Sequence, residues 1–366
     1  MKNPFSEKIY LQRTRPHEED VRGAYFRDQT AIIHSPAFRR MKHKTQVFFA
    51  PENDHICTRI EHVMHVATIS KSICRGLNMY GSELNEELAF AIGLGHDLGH
   101  APFGHDGESI LNKKLGGNMA FIHEINSYRV VEYLANNGKG LNLTYGVKDG
   151  IICHNGEKYE QFLSPAETPN VLDEIKSRRV KPSSFEGCIV RYSDKIAYLG
   201  RDVEDGITAK IIKQEDIPEN IIKTLGKNNS EIIDTLVNDI IKVSKDRNEI
   251  GLSDEKYRAI LELRNFNYKH IYLSDKNMSY KKSEFVLNTI FDFLLDSYKA
   301  IGTNYEEYQK SDMRVLRHFG RQIYQMRDFY KNEDNLDIII ADFISGMTDF
   351  YAIDAMKQIS IPQPVI

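Results

Sequence analysis

The sequence predicts an all-α fold, and three observations carry that reading. Apolar residues recur at helical spacing, most clearly over Arg59 to Tyr80, Asn85 to Gly95 and Phe185 to Asp205. Strand signals are few throughout. From Ile207 onward the pattern is helix after helix: Ser230 to Asp246, Glu255 to Phe266, Ser283 to Ile301, Asp312 to Tyr330 and Leu336 to Lys357. With 366 residues, 41% of them hydrophobic, the chain can bury a substantial core. We read residues 1–366 as a single domain in three parts: an N-terminal arm (1–28), a core that carries the chemistry (29–206) and a helical C-terminal part (207–366).

Taken in order, Met1 to Asp28 is polar and irregular, an arm lying across the body or a neighbouring subunit. Thr30 to Arg40 reads as a helix broken at Ser35-Pro36. The stretch from Phe38 to Phe48 is dense in cations and reads as a solvated face or, lying just before a histidine cluster, as an anion-facing wall. Arg59 to Tyr80 is a strong helix stopped by Gly81. Arg59, His62 and His65 recur every three residues and share roughly one face; His65 reads equally as a pocket residue or a hydrogen-bonded core histidine.

The stretch that organises the chain is AFAIGLGHDLGHAPFGHDGE, Ala89 to Glu108. An apolar helix runs into His96-Asp97, followed by a loop carrying His100, His105, Asp106 and Glu108. Ending a buried helix on imidazoles and carboxylates is costly unless they are paired or bind a metal. Gly95 and Gly99 are expected to permit the turn. Gly107 to Leu115 and Phe121 to Asn136, with His123 and Arg129, are further helices. Asn155 to Pro182 is polar and reads as an ordered loop or lid. In Phe185 to Asp205, Asp194, Tyr198 and Asp202 stack on one face, flanked by Lys195 and Arg201.

His62, His96, Asp97 and Asp194 form one candidate metal set. Two imidazoles and two carboxylates suit Mn, Fe, Ni or Zn and tolerate Mg. A helix bundle can bring distant helices to one ion, leaving positions open for water and substrate. His105, Glu108 and His123 read as acid-base groups at the mouth of that site. A metal beside Arg59, Lys195 and Arg201 describes a phosphate-ester site.

Composition narrows the rest. A net charge of -4 gives no global reason to bind nucleic acid or an anionic membrane. The cysteines, Cys57, Cys74, Cys153 and Cys188, form no C-x-x-C pair and fit a reducing compartment. No apolar stretch is long enough to cross a bilayer, and the N-terminus has no signal-peptide core, so a soluble cytoplasmic protein is expected.

Several motifs together carry a resemblance: HSPAFRRMKHKTQVF (His34 to Phe48), TRIEH (Thr58 to His62), HDLGHAPFGHDGE (His96 to Glu108), YSDKIAYLGRDVEDG (Tyr192 to Gly206) and LRNFNYKHIY (Leu263 to Tyr272). They resemble the HD superfamily of metal-dependent phosphohydrolases, and within it the deoxyguanosine-triphosphate triphosphohydrolase-like family. The resemblance implies an HD-type helical bundle with added C-terminal helices, and one divalent metal held by His62, His96, Asp97 and Asp194. It implies that His105, supported by Glu108, is the acid-base pair and that His123 sits beside the phosphates. Arg59 and Lys195 would contact phosphate oxygens; Gln46, Tyr198 and Asp202 would meet the deoxyribose. The implied reaction splits a deoxynucleoside triphosphate into deoxynucleoside and tripolyphosphate. A homo-oligomer with activating nucleotides between subunits is the implied assembly.

Two positions depart from the family pattern, Glu61 where threonine is usual and Glu124 in His123-Glu124, where His-Asn is usual. Extra acids near a phosphate site repel substrate unless they point away or bind a second cation. Two other readings stand beside the triphosphohydrolase: an HD phosphohydrolase for a monophosphate, cyclic or alarmone nucleotide, and a nucleotide-sensing or single-stranded nucleic-acid-binding module with an inactive site.

Overall fold

Strong periodicity becomes buried helix. The Arg59–Asn78 helix starts at a capping box, Thr58 with Glu61, and buries Val63, Val66, Ile73 and Leu77. These pack on the Glu86–Gly95 helix, capped by Asn85, whose Leu88, Ala91, Ile92 and Leu94 are fully enclosed. Where the two cross, a Cβ on Gly93 would stand 2.6 Å from Ala67 Cα, so glycine is what lets the backbones meet. The Phe185–Thr208 helix lies across both and is buried along most of its length. This three-helix junction is the frame of the site.

The computed structural model describes residues 1–18, 21–47, 55–155, 159–274 and 280–361. Phe48 of the cationic stretch and residues 156–158 of the polar segment lie outside them. Among the described residues the fold is helical, as expected, and the named strands are Phe162–Leu163 and Ile250–Gly251. These pair antiparallel, with Phe162 opposite Gly251.

The N-terminal segment is more ordered than its polarity suggests. A short helix spans Glu7–Tyr10, and a longer one, Ala24–Ile33, begins inside the expected arm. Tyr10 donates to Ser183 O at 2.8 Å, and Asp28 is fully buried against Arg13 and Thr144 N. The segment is fastened to its own chain by these polar bonds, which hydrophobic periodicity does not register. The break at Ser35-Pro36 is present: Ser35 caps Pro36–Arg40.

In the C-terminal half, Tyr280–Ile301 packs on Gly104–Lys114, Leu336–Ser345 and Asp349–Ser360 around Leu287, Phe291, Phe319 and Ile344. Two predicted continuous helices are each divided. Asp312 to Tyr330 is Arg314–Gln325 followed by Arg327–Tyr330, and Leu336 to Lys357 is Leu336–Ser345 followed by Asp349–Ser360. The second break exists because Thr348 accepts from Tyr351 N and starts a new helix. It also frees buried Asp349 to accept from Thr45 N at 2.8 Å and Phe103 N at 2.9 Å. No described helix is long and apolar enough to cross a membrane. All four cysteines are buried and unpaired.

Candidate functional site

The predicted metal set converges. His62 comes from the first turn of the Arg59 helix, His96-Asp97 from the end of the Glu86–Gly95 helix, and Asp194 from the middle of the Phe185–Thr208 helix. All four are buried. His62 Nε2 lies 3.0 Å from Asp194 Oδ1; His96 Nε2 lies 3.8 Å from Asp194 Oδ1 and 3.6 Å from Asp97 Oδ1. His96 Nδ1 is 2.8 Å from Gly93 O, which fixes the proton there and leaves a lone pair on Nε2. That Nε2 is buried with no hydrogen-bond partner and faces two carboxylates. A lone pair aimed at anions fits a divalent cation and little else. Burial pushes the Asp194 carboxyl up, but the His62 bond and nearby His96 outweigh it and bring it to about 2.

The turn after His96 does not depend on Gly95 in the expected way. His96 is still helical, and Gly95 instead lets Ile151 and Ile32 pack closely. Gly99 is the critical glycine. A Cβ there would stand 2.1 Å from Ser127 N, and the Gly99 amide donates to Ser127 Oγ at 2.9 Å. The loop is thereby pressed onto the His123–Arg129 helix, and the His100 ring stacks on His123 with centroids 4.0 Å apart.

The acid-base groups meet, and Glu108 reaches both histidines. Glu108 Oε2 is 2.7 Å from His123 Nδ1 and 3.6 Å from His105 Nδ1. Glu108 therefore serves buried His123 first, while His105, with 65% of its side chain exposed, stands at the mouth. Burial opposes a charged His123, but Glu124 and Glu108 raise it to about 9. The Glu108 carboxyl is held well below its usual range despite burial, by His123 and His105.

A cavity of about 600 Å³ opens over these groups. Its lining includes Arg59, His62, Asp97, His105, His123 and Asp194 together with Gln46, Tyr198, Asp202, Tyr268 and Tyr272. Arg59 donates to Asp97 Oδ2 and to Thr45 O at 3.1 Å. Tyr272 donates to Asp202, whose carboxyl burial pushes up to about 8. Lys195 is not brought to the cavity wall: its ammonium lies over the Tyr159 and Tyr192 rings, 5.2 and 5.4 Å from their centroids. Arg201 turns to Glu204, and His65 lies outside the lining. The cationic stretch is not an anion-facing wall here. Arg39, Lys42 and His43 are exposed elsewhere, and Lys44 is buried against the carbonyls of His100 and Ser345.

Residues 59–199 match the HD domain, and residues 250–358 the phosphohydrolase-associated domain. A deoxyguanosinetriphosphate triphosphohydrolase-like protein of Caldanaerobacter subterraneus subsp. tengcongensis is 40% identical over 366 residues, covering 99% of this chain and 93% of that one. A protein of the same name from Clostridium tetani is 36% identical over 361 residues, covering 96% and 90%. The chain belongs to the deoxyguanosinetriphosphate triphosphohydrolase-like family. It is a hydrolase of the HD phosphohydrolase class, whose domain binds a divalent metal. A crystal structure of a Bacteroides thetaiotaomicron phosphohydrolase aligns with a TM-score of 0.46 and 18% identity, over 88% of this chain and 66% of that one.

The two departures from the family pattern have local explanations. Glu61 is exposed and accepts from Thr58 N at 2.7 Å, so it caps its helix and points away from the cavity. Glu124 accepts from Arg178 Nε at 2.8 Å, and the same guanidinium reaches Glu108. Arg178 comes from the polar Asn155 to Pro182 segment and was invisible to periodicity. Tyr268, Tyr272 and Arg264, also at the cavity, belong to LRNFNYKHIY, whose family match was their only signal. The helix there loosens into a π turn over Tyr268–Tyr272, which re-aims the rings. His100 and His154 went unassigned; their spacing from Asp97 and Ile151 was the available clue.

Proposed function

We propose that this chain hydrolyses deoxynucleoside triphosphates to deoxynucleoside and inorganic tripolyphosphate, with one divalent ion held by His62, His96, Asp97 and Asp194. What supports this is the mixed lining of one cavity. Its imidazoles, carboxylates and Arg59 suit a phosphate chain, and its tyrosines with Asp202 suit a sugar and base. The shared name of the relatives supports the same substrate class.

When bound, the ion supplies Lewis-acid charge to phosphoryl oxygens. Arg59, braced on Asp97 and Thr45, presents a fixed cation to the same oxygens. His123, kept protonated by Glu124 and Glu108, adds positive charge beside them. Hydrolysis adds the oxygen of water to the α-phosphorus and breaks its bond to the 5′-oxygen. That 5′-oxygen is a poor leaving group until it takes a proton, and His105 is the group at the mouth able to give it. The attacking water releases one proton, which restores His105 and balances the cycle. Tyr198, Tyr272 and Asp202 would crowd the deoxyribose, where a 2′-hydroxyl would need room.

The test is a product assay. Purified protein is given each of the four dNTPs, singly and mixed, with Mg or Mn, and products are resolved by ion exchange. Deoxynucleoside with intact tripolyphosphate is the expected result, and a higher rate in the mixture would reveal a nucleotide activator. Release of monophosphate and pyrophosphate, or no cleavage of any dNTP, would refute the proposal.

A further inference from the structure

We infer that a second cavity, between the first half of the chain and its C-terminal helices, binds a free phosphate-type oxyanion on Arg40, His318 and Arg321. The inference does not depend on the substrate proposed above.

This cavity measures about 450 Å³ and shares no lining residue with the catalytic one. Arg40 reaches it from the Pro36–Arg40 helix, and His318 and Arg321 from the Arg314–Gln325 helix. Arg40 belongs to the cationic stretch whose anion-facing role the catalytic cavity does not use. Its neighbours there are accounted for: Arg39, Lys42 and His43 are in solvent, and Lys44 is on two carbonyls. Arg40 is not. Its Nε is enclosed and has no hydrogen-bond partner, and its Nη2 lies 3.7 Å from where a Gly346 Cβ would stand. Burial and Arg39 both push its guanidinium below the ordinary value, and among the described residues no carboxylate pulls it back. A guanidinium does not give up its proton to escape such a site, so the arrangement calls for a counter-charge.

The rest of the wall does not supply one. Asp342 is the carboxylate in the lining, and it is already engaged: Arg129 donates to both its oxygens at 2.7 Å, and Tyr330 donates to it at 3.1 Å. Burial lowers the His318 imidazole, and Arg321, Arg314 and Arg317 lower it further, so the field here is positive. Arg314 is tied to Asp354 and Arg317 to the carbonyls of Ser311 and Asp312, whereas Arg321 lines the cavity. His318 Nδ1 lies 2.8 Å from the Tyr351 hydroxyl; with Tyr351 donating there, Nε2 carries the proton and is a further donor. Thr348, the cap of the Asp349–Ser360 helix, also lines the cavity and brings the positive end of that helix. The Asp349 carboxylate turns away, to Thr45 N and Phe103 N. Planar guanidiniums match the paired oxygens of a phosphate, which selects an oxyanion over chloride. Bound there, it links the Pro36–Arg40 helix to the C-terminal helices.

The test is thermal melting of the chelator-treated full chain in inorganic phosphate and in chloride of equal ionic strength, with the apparent Kd taken from the phosphate dependence of Tm. A rise specific to phosphate is expected in the wild type and in Arg59→Met, which alters only the catalytic cavity. Arg40→Met should abolish the rise, and Arg321→Gln should weaken apparent affinity about tenfold or more. Arg321 is exposed, so Arg321→Gln carries the decision if Arg40→Met does not fold. No phosphate-specific rise in the wild type would overturn the site. So would an undiminished rise in Arg40→Met or Arg321→Gln. A rise lost in Arg59→Met but kept in the other two would overturn it by placing the anion in the catalytic cavity. A rise given by a deoxynucleoside monophosphate and not by inorganic phosphate would overturn the free oxyanion in favour of a nucleotide.

Discussion

Replacing Arg178 by Met removes the guanidinium between Glu108 and Glu124 while keeping its apolar stem. The two carboxylates keep 9% and 2% of their side-chain surface exposed, and Arg178 keeps 20%. Removing one partner of a buried pair costs about 3–5 kcal/mol, because the other charge is left enclosed. The fifth of Arg178 that remains in water argues for the low end, about 3 kcal/mol. With an unfolding entropy of about 2.1 cal/mol/K per residue over 366 residues, that is a fall in Tm of about 4 °C. The pH dependence has a definite sign. Burial pushes both carboxyls up, but His123 and its neighbours hold them below their ordinary values. Their contribution to stability is therefore present above the ordinary carboxylate range and lost as pH falls below it. The gap between wild type and variant should be full at neutral pH and close on acidification. Thermal melts of chelator-treated protein measure it, and Glu124→Gln in the variant should recover much of the loss. A Tm within about 1 °C of wild type at neutral pH, or a gap that widens in acid, would refute the reasoning.

Gly99→Ala places a Cβ 2.1 Å from Ser127 N, backbone that cannot step aside, so a loss of about 1–3 kcal/mol or more is expected; an unchanged melt would contradict the close approach. Asp202 binds its proton more tightly folded than unfolded, because burial raises it to about 8. Stability from this group falls as pH rises from the carboxylate range toward 8, by at most about 1.4 kcal/mol per unit. Asp202→Asn should flatten that slope, and parallel stability profiles would count against it. Loading a stripped sample with Mn at a hundredfold excess over Kd should add about 2.7 kcal/mol of stability, and Asp194→Ala should lose most of the gain. Equal stabilisation of both proteins would show that the ion binds somewhere else.

How much of this was legible in the sequence depended on the kind of force involved. The buried helices could be read because apolar periodicity reports packing directly, and His62, His96, Asp97 and Asp194 stood out because charged groups on such helices need a reason. Arg178 and Asp349 could not be read that way. Both act through polar bonds to partners far away in sequence, and nothing in their local surroundings sets them apart. Lys195 shows the opposite failure: its position beside Asp194 suggested the cavity, but one residue along a helix is a rotation of about 100°, and its ammonium went to two tyrosine rings. The extra acids could be counted but not aimed. Glu61 capping its helix and Glu124 meeting Arg178 are facts of direction, which spacing alone does not supply.

Asp349 joins two strips of chain that both reach the cavity lining, Thr45 next to Gln46 and Phe103 next to Gly104, and the two bonded residues lie 304 and 246 positions upstream of it. Two strips of the cavity wall are thus fastened by a carboxylate that is synthesised long after them. A nascent chain can gather every residue of the candidate metal set once Asp194 has emerged, before Asp349 is there to fasten Thr45 and Phe103. Completion of the pocket wall is coupled to docking of the Asp349–Ser360 helix. A fragment ending after the Phe185–Thr208 helix would carry the candidate metal set without this fastening.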